Sequence, residues 1–140
     1  MEWVRAGLIW IVIIVVESIH GVLRGLYLQP AVGDLDARQI GVLVGSLLIL
    51  LIAYLFRQWL REMSARAQLG VGLLWIMLTV AFEVGLGRFI LKLSWERIFS
   101  DYNISRGGFM VFGLVILGLA PLLAVRLGAV TSQRVENRAP

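Results

Sequence analysis

Glu17, His20, Gly21 and Arg24 stand at i, i+3, i+4 and i+7 inside a long apolar stretch, a spacing that places all four on one face of a helix. Residues 7–16 before them carry no charge, and the residues between them are mostly apolar and point elsewhere. A carboxylate and a guanidinium at that depth in an apolar helix are costly, so they are expected to face protein or trapped water. The chemistry such a set offers is recognition of a charged solute, or proton or cation coupling through Glu17 beside His20. Glu83 and Arg88 form a second carboxylate–guanidinium set at comparable depth in a later apolar stretch. At about 100° per residue, Glu17 faces the same way as Arg24, whereas Glu83 points roughly 140° from Arg88. The structural alternative is a salt bridge between the two helices. Removing one member of such a buried pair would cost about 3–5 kcal/mol.

Other chemistries are weaker on residue grounds. Glu17-x-x-His20 has the spacing of a carboxylate-bridged di-metal helix, but that site needs a second such motif, and His20 is the sole histidine. One chain therefore supplies a single axial histidine to a haem, not two. No metal and no cofactor is assigned. Arg24, Arg38, Arg88 and Arg106 all fall toward one end of the expected helices. Four guanidiniums there could collect an anion such as a lipid phosphate or a carboxylated solute. Asp34, Asp36, Glu96 and Asp101 occupy the same loops and could neutralise them. The chain has no Ser/His/Asp nucleophile set, P-loop or dinucleotide fingerprint.

These residues need helices to hold them, and the composition says of what kind. The chain has 140 residues, of which 59% are hydrophobic, and a mean hydropathy of +0.87. Soluble domains run at roughly 45–50% apolar, so lipid is expected to solvate much of this surface. The absence of cysteine excludes disulfides and thiolate metal sites. The net charge of +4 comes from basic residues beside hydrophobic segments, which read as topology signals and exclude nucleic acid as a partner. Near the N-terminus, Glu2 and Arg5 precede an apolar run with no small-x-small cleavage pattern, which predicts a retained first helix and not a signal peptide.

Four segments approach the ~20 residues that span a bilayer: residues 3–28, ended by Pro30 and Gly33; 39–59; 69–91; and 107–125, with Pro121 as a kink. Asp36-Ala37-Arg38-Gln39 reads as a capping box opening the second helix. Gly41 and Gly45 make a small-xxx-small pattern suited to close helix approach. Ser94 reads as the cap of a short interfacial helix carrying Trp95 and Phe99. The expected fold is all-α, a four-helix transmembrane bundle of two tandem hairpins over residues 1–128, with a flexible polar cytoplasmic tail at 129–140. Gly21-x-x-Arg24 and Gly85-x-x-Arg88, and Arg38 and Arg106 each followed seven residues on by glycine, suggest an internal repeat. The linker arginines Arg57, Arg61 and Arg66 and the tail arginines Arg126, Arg134 and Arg138 place both termini in the cytoplasm, in a bacterial inner membrane.

The functional expectation is a small-ligand binding or transport module, oligomeric, with Glu17, His20, Arg24, Glu83, Arg88, Arg38 and Arg106 around a polar pocket. Its ligand would be small, anionic or lipid-like, and its other partners the bilayer and further copies of itself or a membrane complex. Two alternatives stand beside it. One is a non-catalytic accessory subunit of a larger membrane complex, meeting partners through its GxxxG face and basic tail. The other is a quinone- or lipid-handling membrane enzyme or redox anchor, resting on His20 beside Glu17.

Overall fold

The computed structural model describes residues 1–138. The described residues form an all-helical chain in which four helices are long and apolar enough to cross a membrane. These are α1 (Glu2–Val32), α2 (Asp34–Leu55), α4 (Ala65–Ile90) and α6 (Met110–Glu136). Two short helices join them, α3 (Arg57–Arg61) and α5 (Trp95–Ser100). Even the shortest span, the 22 residues of α2, extends about 33 Å at 1.5 Å per residue, enough for a hydrocarbon core of about 30 Å. The outer face of α2 is a stripe of Leu43, Leu47 and Leu51, all exposed. Lipid, which is as apolar as leucine, leaves such a stripe nothing to gain from burial.

Around the bundle the spanning helices follow the order α1–α2–α6–α4. Helix α6 packs closely on both α2 and α4, while α1 lies against α2 and only lightly against α4. The closest backbone approach is between α4 and α6, where a Cβ on Gly72 would overlap the carbonyl oxygen of Gly118. The half of the bundle nearer the termini is filled with side chains: Ile9, Ile13, Trp75, Leu117, Ala120 and Ala124 are all essentially buried. Two indoles pin α1 to α4 there. Trp75 Nε1 donates to the Ala6 carbonyl at 2.9 Å, and Trp10 Nε1 donates to Thr79 Oγ1 at 3.0 Å. In lipid such hydrogen bonds replace the partners water would otherwise provide.

Several local expectations change. Pro30 does not end α1. The chain widens into a π-helical turn over Arg24–Leu28, with Gln29 N–H donating to the Arg24 carbonyl five residues back. Pro30 then sits at the start of a renewed α-helical turn, Gln29–Val32, where its missing N–H costs least. Gly33, with φ +90°, makes the break. Helix α2 begins at Asp34, so Asp36 lies inside the first turn and the capping box does not form. Asp34 and Asp36 instead place negative charge at the positive end of the helix dipole. The Gln39 side chain crosses to donate to the Gly107 carbonyl at 3.0 Å. Ser94 does cap α5, accepting from Arg97 N–H at 3.2 Å, and Trp95 stacks on Phe99. Helix α6 runs through Pro121 to Glu136, beyond the expected end near residue 125. The sequence-defined tail is thus helical over 129–136, and its last two residues lie outside the described residues.

Candidate functional site

The stripe on α1 faces a half-open cavity of about 210 Å³ bounded by α1, α2, α4 and α6 in the half of the bundle away from the termini. Glu17, His20 and Arg24 line it from α1, Arg38 from α2 and Glu83 from α4. Asp101, from the loop after α5, closes the loop end, and apolar side chains such as Ile13, Ile49 and Leu117 form the inner end.

Glycines on α2 make the space. A Cβ on Gly45 would stand 2.7 Å from Glu17 Oε2, and one on Gly41 would stand 2.5 Å from Arg24 Cδ. The two charged side chains of α1 therefore lie directly across bare helix backbone. The Gly41-xxx-Gly45 pattern is consumed inside the chain, so it is not a face offered to another subunit. Its glycines admit side chains, where the pattern more often admits a second backbone.

The charges divide into two sets. At the loop end they are paired. Arg38 bridges Asp101 and Asp34, its Nε lying 3.0 Å from Asp34 Oδ2 though out of line for a hydrogen bond. Arg97 reaches the same two carboxylates, 3.5 Å from Asp34 and 3.2 Å from Asp101. Two guanidiniums and two carboxylates thus form a closed, neutral network. Deeper in, Arg24 and Glu83 are not paired among the described residues. His20 Nδ1 and Glu17 Oε2 lie within hydrogen-bond reach at 3.3 Å, while Glu17 Oε1 is buried without a hydrogen-bond partner. Among the described residues, neither Arg24 nor Glu83 has an ion-pair or hydrogen-bond partner. Arg24, Glu17 and Asp101 all lie within electrostatic range of Glu83.

Two of the seven sequence-derived residues lie elsewhere. Arg88 turns away from the cavity, stacks its guanidinium 5.3 Å from the Trp95 ring centroid, and donates to the Leu93 carbonyl at 3.2 Å. It clamps α5 to the end of α4. That separation from Glu83 follows from their five-residue spacing, and Arg88 itself lies within a second π-helical turn, Leu86–Ile90. Arg106 is exposed and pairs with Glu96 at 3.5 Å. Of the loop acids expected to neutralise arginines, Asp34 and Asp101 answer Arg38, Glu96 answers Arg106, and none answers Arg24.

Sequence reasoning did not single out Thr79, Asp101 or the Gly41 and Gly45 backbone as parts of the site. Thr79 carries no distinguishing signal in an apolar helix, and Asp101 looks like any loop acid. The glycines carry a signal for close approach, but not for what approaches, which here is the side chains of Arg24 and Glu17. Among the described residues no group of three or more histidines, cysteines and carboxylates is placed to hold a metal ion. What the arrangement can do chemically is present two carboxylates, an imidazole and one guanidinium to a molecule inside an otherwise apolar chamber. Comparison with protein-family models, with curated proteins and with solved structures finds no match for this chain.

Proposed function

We propose that this small membrane protein binds, and as a transport module moves, a small charged ligand held in the cavity beside Glu17, His20, Arg24 and Glu83. The observation that carries the reading is that Arg24, Glu83 and Glu17 Oε1 face this space without protein partners. Glu17 Oε1 is buried, Arg24 and Glu83 are half-buried, and a charged group drawn out of water without a partner is costly unless something else answers it. A structural role for the same residues would call for Glu–Arg pairs between α1 and α4, and the described residues form none. In this reading both termini are cytoplasmic, the membrane is a bacterial inner membrane, and the site communicates with the non-cytoplasmic side past the Arg38–Asp101 network. The matching Gly-x-x-Arg motifs, each beside a π-helical turn, favour an origin in a duplicated hairpin, with only the first copy keeping its arginine in the site. Copies of the chain, or a membrane-complex partner, would meet on the exposed apolar faces.

The absence of native cysteine makes the test clean. Ser46 lines the cavity, whereas Leu47 is exposed on the lipid face. In intact cells Ser46→Cys is expected to react with a small, charged, membrane-impermeant thiol reagent, and Leu47→Cys is not. A Ser46→Cys protein that resists the reagent, or reacts only in inverted vesicles, would sink the proposal of a chamber open to the non-cytoplasmic side.

A further inference from the structure

The balance of charge in the cavity says more about what it holds. The Arg38–Asp34–Arg97–Asp101 network is internally neutral and needs no ligand. One oxygen of Glu17 is occupied by His20. The unanswered groups are then one guanidinium, Arg24, and two acceptors, the Glu83 carboxylate and Glu17 Oε1. A simple anion would satisfy Arg24 but would face two carboxylates across a chamber with apolar walls. A simple cation would satisfy the carboxylates and leave the half-buried Arg24 unpaired. Each is penalised because a charge drawn even partly out of water without a partner is costly.

We infer that the ligand of this site carries both an ammonium group and an anionic oxygen group, the ammonium set between Glu17 and Glu83 and the anionic group on Arg24. This rests on the binding reading above and specifies its ligand class. A guanidinium presents a planar fork suited to a carboxylate or a phosphate, and an ammonium offers three donors, enough to reach both carboxylates and keep one for water. The 210 Å³ corresponds to about fourteen to twenty water-sized positions, since each needs about 10–15 Å³. That limits the bound part to a short zwitterion. Two sources share this chemistry: a free amino-acid-like solute, and the ethanolamine phosphate headgroup of a lipid. The apolar inner wall of Ile13, Ile49 and Leu117 suits the short carbon chain joining the two charges in either case.

The test uses near-isosteric probes on the full-length protein in detergent, read by isothermal titration. β-Alanine and phosphoethanolamine carry both charges, propionate only the anion and propylamine only the cation. At least one zwitterion is expected to bind roughly tenfold to a hundredfold more tightly than either single-charge probe, because each charged hydrogen-bonding group forfeited is worth about that factor. Glu83→Gln should lose a similar factor for the zwitterion and lose nothing for propionate. Repeating the titration in nanodiscs separates the sources. Phosphatidylethanolamine discs should weaken zwitterion binding by competition if the headgroup is the ligand, and should match phosphatidylglycerol discs if it is a free solute. Propionate or propylamine binding as well as both zwitterions overturns this inference while leaving a binding site in place. Failure of every probe to bind, together with a native mass spectrum showing nothing retained, overturns the binding reading itself. If Glu83→Gln does not fold, the wild-type series alone decides.

Discussion

At the scale of single residues, the cavity groups differ from a salt-bridged core in what their removal should do. A broken buried pair leaves one charge stranded, at about 3–5 kcal/mol. Glu83 has no partner to strand, and its neutral isostere removes a charge that is costly to bury. Glu83→Gln is therefore expected to melt within a few degrees of the wild type, or above it, when followed by intrinsic fluorescence in detergent. A loss on the scale of a broken buried pair would show that Glu83 is held in an ion pair after all.

Tyr102 gives the pH-dependent signature at the same scale. It lies in the loop after α5, outside the spanning helices, with its hydroxyl buried and without a hydrogen-bond partner among the described residues. Burial above all, and then the Glu83 and Asp101 carboxylates, push its phenol up to about 12. An unfolded chain would release this proton near pH 10, so between pH 10 and 12 the folded state binds more proton than the unfolded one. Stability accordingly falls as pH rises through that window. The difference in phenolate absorbance between wild type and Tyr102→Phe should emerge near pH 12. A transition near pH 10 would contradict the buried setting of the hydroxyl.

At the scale of helices, glycines that look alike in sequence serve different ends. At Gly72 an added methyl would meet the carbonyl of Gly118, and neither backbone can give way without separating α4 from α6. Gly72→Ala is expected to cost about 1–3 kcal/mol or more through overpacking. At Gly7 nothing lies within 4 Å of the same added methyl. Gly7→Ala should stabilise α1 by about 0.5–1 kcal/mol, since alanine forfeits less chain entropy than glycine in a helix. Thermal melts of the two variants should move in opposite directions. Equal and small shifts would mean that α4 and α6 do not approach this closely.

For the whole molecule, the two ends of the bundle are built differently. The end nearer the termini is tightly filled, pinned by Trp10 and Trp75 and closed by the Arg5–Glu62 bridge at 2.6 Å. The opposite end holds the cavity and its charged network. The linker and tail arginines all belong to the filled end, and that excess predicts that it faces the cytoplasm. Reporter fusions at Ser64 and after the last residue should therefore report the cytoplasm, while fusions at Asp34 and Asp101 should not. The reverse pattern would turn the cavity toward the cytoplasm.

The fold class was legible in the sequence because spanning a bilayer leaves few options. Four runs of about 20 apolar residues must satisfy their own backbone hydrogen bonds, and only helices do that within one segment. The shared face of Glu17, His20 and Arg24, and the divergence of Glu83 from Arg88, were legible too, because helical periodicity alone sets both. What lies across from those faces was not. Whether Arg24 meets a carboxylate, a glycine or empty space depends on which helices are neighbours and how closely they approach. Those distances are set by residues remote in sequence, such as Gly41, Gly45, Gly72 and Gly118. The same holds for Pro30, whose chain-breaking effect is absorbed by a π-helical turn that no local pattern announced. Periodicity determined the direction of each polar side chain from the sequence. Only the packing of four helices decided that Arg38 finds Asp101 while Arg24 and Glu83 are left facing a chamber.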